Sequence, residues 1–119
     1  MKLILLLQSS PQQLTTLRSC YHLALGGLDR GDEVWLACRG EGVYAALASQ
    51  HRSPLESPWG NPSGWWAALR IRGLKLVVHE ACAEVRGLKE TEFFEPGTRL
   101  VSLEDWSHCL QNCDKLVSL

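Results

Sequence analysis

The segment from His79 to Gly87 is chemically the most informative part of the sequence, because it places a cysteine just past an apolar run. The run 74–79 predicts a buried strand, and we expect Cys82 in or next to the first turn of a short helix. Unpaired backbone N–H groups and the positive end of a helix dipole stabilise a thiolate there. Arg86 lies four residues on, so one helical turn would bring its guanidinium near the sulfur. Both effects lower the pKa of a thiol, and the thiolate is the nucleophilic form.

Each of these residues also has a structural interpretation. Cys82 as a small buried residue would follow the commoner pattern for a free cysteine, and the carboxylates of Glu80 and Glu84 oppose a lowered thiol pKa. His79 is either a cationic neighbour or proton donor for the thiol, or a structural residue at a strand end, which is the commoner case. Arg86 either acts on the sulfur or hydrogen-bonds carbonyls at the helix end, where the following glycine would be left-handed. The sequence leaves these alternatives open.

Cysteines outside this segment suggest a metal site only weakly. Cys109 and Cys113 lie four residues apart on one face of a predicted helix, with His108 beside them. Together with His79 and Cys82 they would offer soft ligands. No Cys-x-x-Cys spacing is present and the two groups belong to different elements, so we predict no metal. The cysteines expected to face the core are Cys20, Cys38, Cys109 and Cys113.

A nucleotide or flavin site is not predicted either. The first loop, 8–13, lacks both a Gly-x-Gly-x-x-Gly run and a Walker lysine. The sequence Gly40-Glu41-Gly42 is too short a glycine match, and its carboxylate would repel phosphate. We therefore expect no organic cofactor.

Three tryptophans, Trp59, Trp65 and Trp66, lie in or beside the longest predicted loop, 51–64. Aromatic side chains supply much of the binding energy at protein interfaces, so this loop is a candidate docking surface. The alternative is that Trp65 or Trp66 packs against a sheet while Trp59 covers an edge. We expect at least one of the three at an interface.

Composition indicates an ordinary folded protein. A chain of 119 residues has the usual size of one domain, so we expect a single domain over residues 1–119. The net charge of −1 favours neither nucleic acid nor an anionic membrane as partner. The apolar run Leu3–Leu7 is too short for a signal peptide core or a membrane span. Five cysteines without framework spacing are typical of a reducing compartment, so we expect a cytoplasmic protein.

Predicted strands and helices alternate along the whole chain. The strands are expected at 2–7, 33–38, 74–79, 98–102 and 115–119. The helices are expected from Pro11 through 25, at 43–48, through 65–69, at 82–87 and at 103–113. This alternation predicts a three-layer α/β/α domain with a five-stranded, mainly parallel sheet and flavodoxin-like layering. Chemistry in such sheets lies beyond the carboxyl ends of the strands, which points to 8–12, 39–43 and 79–87.

Short motifs in these regions match a known family. Residues 82 and 86–88 fall in register with its signature Cys-x-x-Cys-x-x-Ala-Arg-Gly. Gly31-Asp32-Glu33-Val34, Gly42-Val43-Tyr44 and Asp114-Lys115-Leu116-Val117 resemble its turn into the second strand, the loop that follows, and its last strand. Over nearly its whole length the chain therefore resembles the DsrE/TusD/YchN-like (DsrE/DsrF-like) sulfur-relay family.

The resemblance implies a role for Cys82. In such relays a cysteine attacks a donor persulfide, holds the sulfane sulfur and delivers it to an acceptor thiol. The implied partners are a persulfide donor protein and an acceptor protein, and the implied assembly is a homotrimer or homohexamer. His79 stands where the signature has its first cysteine, so a local dithiol–disulfide cycle is unavailable. Two hypotheses follow: a single-cysteine sulfur carrier or sulfurtransferase, and a non-catalytic assembly or regulatory subunit with the same fold.

Overall fold

The computed structural model of the chain describes residues 1–10, 12–48 and 62–119. The strands are β1 (Lys2–Leu7), β2 (Glu33–Cys38), β3 (Lys75–His79), β4 (Arg99–Val101) and β5 (Lys115–Ser118). The α-helices are α1 (Leu14–Asp29), α2 (Pro62–Ile71), α3 (Glu80–Val85) and α4 (Leu103–Gln111). Two 3-10 helices, Gly40–Ala46 and Thr91–Phe93, complete the described elements.

The five strands form one parallel sheet in the order β4-β3-β2-β1-β5. The chain runs outward from β1 to β4, and α4 then returns it to the other side of β1. All strands point the same way, so the ends of β1, β2 and β3 meet at one edge of the sheet. No helix in the described parts of the chain is long and apolar enough to cross a membrane.

Both faces of the sheet carry apolar side chains, which explains the continuous apolar runs in the sequence. One face packs against α1, α2 and the 3-10 helix at 40–46. Its buried residues include Leu5, Leu36, Val78, Leu17, Trp66 and Val43. The opposite face packs against α4 through a smaller cluster, Ile4, Ala37, Val77, Val101 and Trp106. The predicted α/β/α layering is therefore confirmed.

The predicted elements differ from the observed ones mainly at their ends. The predicted helix at 43–48 is a 3-10 helix that begins three residues earlier, at Gly40. The predicted start of α3 at Cys82 is wrong by two residues, because the chain turns from His79 directly into the helix at Glu80. The predicted helix start at Pro11, the residue Trp59 and most of the 51–64 loop lie outside the described residues.

Candidate functional site

The carboxyl edge of the sheet brings together the 3-10 helix after β2 and the short helix α3 after β3. Gly42 fits the first of these against β1, because a Cβ atom there would lie 2.1 Å from the carbonyl oxygen of Leu7. Contact this close leaves room for no side chain. The backbone of the 3-10 helix is therefore pressed onto the end of the central strand, and α3 packs beside it.

Cys82 is the third residue of α3. It is half-buried and packs against the larger core cluster. The helix ends at a Schellman motif, in which Gly87 donates to the carbonyl of Glu84 and Leu88 to that of Ala83, over 3.0 and 2.9 Å. Gly87 has φ +75°, as the sequence predicted for a left-handed stop. Cys82 thus lies on a six-residue helix whose carboxyl end is fixed by backbone hydrogen bonds.

Arg86 holds that turn to the neighbouring 3-10 helix. One terminal nitrogen, Nη1, donates to the carbonyl oxygen of Cys82 over 2.9 Å. The other, Nη2, donates to Oε1 of Glu41 over 3.0 Å. The ring of Tyr44 lies 6.0 Å from Cζ of the guanidinium. This bond to a helix carbonyl fits the structural role predicted for the arginine, and an effect of its charge on the sulfur stays a prediction.

Glu41 and Tyr44 also contact Arg86, and the sequence assigns neither of them a role in the site. Glu41 and Arg86 are 45 residues apart in the chain, and no spacing rule links positions on different elements. The available signal was topological: both segments follow strands of one parallel sheet, so their ends lie at the same edge.

His79 directs its ring away from this group. Its imidazole packs edge-on against the indole of Trp106, with ring centroids 5.3 Å apart. Trp106 belongs to the smaller core cluster, whereas Cys82 packs against the larger one. Burial, and next the charge of Arg39, lower the pKa of His79, while Glu80 opposes this. The lowered pKa favours the neutral form of the imidazole.

The other cysteines differ from Cys82 in position and environment. Cys20 and Cys38 are fully buried, as predicted, and burial raises the pKa of Cys20 to about 12 and that of Cys38 still further. Cys109 and Cys113 are half-buried against the smaller cluster near the amino ends of the strands, where Lys2 donates to the carbonyl of Cys109. The two groups weighed as metal ligands thus lie at opposite edges, and the described residues hold no metal-binding cluster.

Two of the tryptophans fall within the described residues. Trp66 is fully buried and donates its Nε1–H to the carbonyl of Ala45 over 3.0 Å, so it packs against the core as the structural alternative proposed. Trp65 is half-buried, stacks at a tilt on Tyr21, and lines a cavity of about 320 Å³ with Arg18 and His22. An interface role for Trp65 stays a prediction.

Comparison with known proteins decides the family. The model of the DsrE/DsrF-like family matches residues 1–119. The chain belongs to the DsrE/DsrF-like family. No curated protein matches it.

Solved structures show the same fold. The ychN protein from E. coli superposes with a TM-score of 0.80 at 16% identity, covering 100% of this chain and 99% of that one. A protein of unknown function from Methanobacterium thermoautotrophicum superposes with a TM-score of 0.60 at 12% identity, covering 84% of this chain and 79% of that one. At these identities, the likeness extends to the fold alone.

Proposed function

We propose that this protein is a sulfur-carrier or sulfurtransferase subunit that accepts and hands on persulfide sulfur through Cys82. The observation that carries the proposal is the place of this thiol: partly exposed, at the carboxyl edge of the sheet, on a turn that Arg86 fixes. Membership of a family associated with sulfur relay supports the same chemistry. Cys20 and Cys38 are unsuited to it, because burial keeps both as inaccessible thiols.

The reaction is an exchange between sulfur atoms. The Cys82 thiolate attacks the outer sulfur of a donor persulfide, an S–S bond forms as the donor S–S bond breaks, and the donor cysteine leaves as a thiolate. An acceptor thiolate then attacks the outer sulfur of the Cys82 persulfide and releases the Cys82 thiolate. Each step exchanges one S–S bond for another, so no external oxidant or reductant is consumed. The partners are accordingly a donor and an acceptor protein.

A second candidate is a non-catalytic assembly or regulatory subunit. It is favoured by His79, which occupies the position of the first signature cysteine and packs its ring on Trp106 instead of on Cys82. In that case Cys82 would be a packing residue on the short helix.

Intact mass measurement separates the two candidates. We expect the reduced protein to gain one sulfur atom after incubation with a small-molecule persulfide donor, and Cys82→Ser to gain none. A variant with both Cys109→Ser and Cys113→Ser is the matched control, because it removes the other half-buried thiols, and it should load like the wild type. Equal loading of the wild type and Cys82→Ser would favour the non-catalytic subunit.

A further inference from the structure

The ion pair between Glu41 and Arg86 joins the two elements of the site. Glu41 accepts from Nη2 while Nη1 bonds the Cys82 carbonyl, so one guanidinium contacts both helices. The side chain of Arg86 is only 20% exposed, and that of Glu41 is 56% exposed. Nε of Arg86 is buried and has no hydrogen-bond partner in the described parts of the chain. The guanidinium is thus enclosed on one side and held by a carboxylate on the other.

The backbone that carries the Glu41 carboxylate is fixed in place. Glu41 lies between Gly40, which has φ +57°, and Gly42, whose backbone is pressed onto Leu7. A planar guanidinium held at two nitrogens is oriented more strictly than one held at a single point. Removing the carboxylate would therefore leave Arg86 attached only to α3, with one terminal nitrogen unpaired.

The charges of Arg86 and Glu41 connect their ion pair with the reactivity of the Cys82 thiol. Hydrogen bonding to Glu41 raises the pKa of Arg86, so the guanidinium stays charged throughout the pH range in which thiols titrate. A carboxylate beside it cancels much of the positive potential that would otherwise reach the sulfur. Beside Cys82, the charged and titratable groups of α3, of the 3-10 helix and of the carboxyl ends of β2 and β3 are Arg39, Glu41, Tyr44, His79, Glu80, Glu84 and Arg86.

We infer that Glu41 is a positioning residue that restrains the reactivity of Cys82 through Arg86, holding the guanidinium on the 3-10 helix and weakening its effect on the thiolate. The inference rests on the proposed function, because it assigns the control of the same thiol. A thiol restrained in this way is less open to alkylation and oxidation by small molecules. It becomes more nucleophilic when the carboxylate is neutralised or withdrawn.

A double-mutant cycle tests whether Glu41 acts through Arg86. The variants are Glu41→Gln, Arg86→Ala and the combination, and the readout is the rate at which Cys82 is alkylated from neutral to alkaline pH. Glutamine keeps an oxygen that accepts from Nη2 but carries no charge. We expect Glu41→Gln to shift the profile to lower pH and to speed alkylation at neutral pH about threefold, as for a partly exposed charge. In the Arg86→Ala background the same change should have a clearly smaller effect, because the carboxylate, no longer held by the guanidinium, turns into solvent, where its charge is screened.

Glu84→Gln is the matched control, because Glu84 is an exposed carboxylate on α3 itself. We expect it to move the profile equally with and without Arg86. The inference is overturned if Glu41→Gln leaves the profile in place, or if its effect is the same in both backgrounds. Thermal unfolding of each variant confirms that the profile is measured on folded protein.

These outcomes are independent of sulfur transfer, because alkylation needs neither donor nor acceptor. Coupling between Glu41 and Arg86 without persulfide loading would refute the proposed function and leave the inference standing. Loading without coupling would refute the inference alone.

Discussion

At the scale of single residues, the contact between His79 and Trp106 determines how the histidine titrates. The imidazole is held 5.3 Å from the indole, centroid to centroid, and its Nδ1 atom is buried without a hydrogen-bond partner in the described residues. Burial is the first cause of its lowered pKa, and the charge of Arg39 is the second. Protonation of this ring would place a positive charge at a buried nitrogen that has no hydrogen-bond partner in the described residues. Folding therefore disfavours the protonated form.

This environment predicts an acid-sensitive contribution to stability. The unfolded chain takes up the His79 proton near the ordinary pKa of 6.5, and the folded chain only at lower pH. The free energy of unfolding therefore falls as the pH drops below 6.5. We expect His79→Phe, which keeps an aromatic ring against Trp106, to reduce this acid loss. Urea unfolding at neutral and mildly acidic pH measures the free energy of unfolding of the wild type and of His79→Phe. An identical pH dependence in the two proteins would show that His79 is not the cause of the loss.

The sequence predicted this residue only in part. The apolar run stops at His79, which predicts that this residue ends a buried strand beside a candidate thiol. The direction of its ring was not predicted, although the alternation of side chains along β3 offered a signal. Residues 77 and 79 share a face of the sheet, and Val77 lies in the same cluster as Trp106.

At the scale of elements, the prediction succeeded where burial dictates the pattern. The observed bounds of β1 and β2 are the predicted ones, 2–7 and 33–38, because buried parallel strands read as continuous apolar stretches. It failed at the 3-10 helix 40–46, whose backbone position depends on a close approach to Leu7 that no local pattern encodes. For the same reason the ion pair between Glu41 and Arg86 was not predicted.

Two glycines provide a matched test of that close approach. Gly42→Ala would place a Cβ atom 2.1 Å from the Leu7 carbonyl oxygen, so we expect a loss of about 1–3 kcal/mol as the 3-10 helix shifts. Gly26→Ala, within α1, meets no atom within 4 Å and should raise stability by about 0.5–1 kcal/mol through helix propensity. Urea denaturation measures the free energy of unfolding of both variants. A Gly42→Ala variant as stable as the wild type, or more stable, would contradict the close contact between Gly42 and Leu7.

At the scale of the whole molecule, the fold persists at 16% identity over the full length of the E. coli structure. The fold requires only that apolar strands alternate with helices that cover both faces of the sheet. Many different sequences satisfy this pattern. This pattern alone does not preserve function, because one fold can carry many different sites.

We also propose that the chain assembles as a homotrimer or homohexamer, as the family resemblance implies. The small net charge of −1 offers little self-repulsion. Large apolar side chains exposed in the described residues include Ile71, Val85 and Leu103. Multi-angle light scattering at micromolar concentration should give three or six times the monomer mass. A monomer across the concentration range would refute the assembly.

Peptide mapping after persulfide loading shows whether Cys82 carries the transferred sulfur. Trypsin cuts after lysine and arginine, so Cys82 falls alone in peptide 76–86, while Cys20, Cys38 and the Cys109/Cys113 pair fall in peptides 19–30, 31–39 and 100–115. Loaded protein is capped with an alkylating reagent, digested and read by tandem mass spectrometry. We expect one extra sulfur atom on Cys82 within peptide 76–86. Extra sulfur confined to peptide 100–115, or absent from every cysteine, would contradict it.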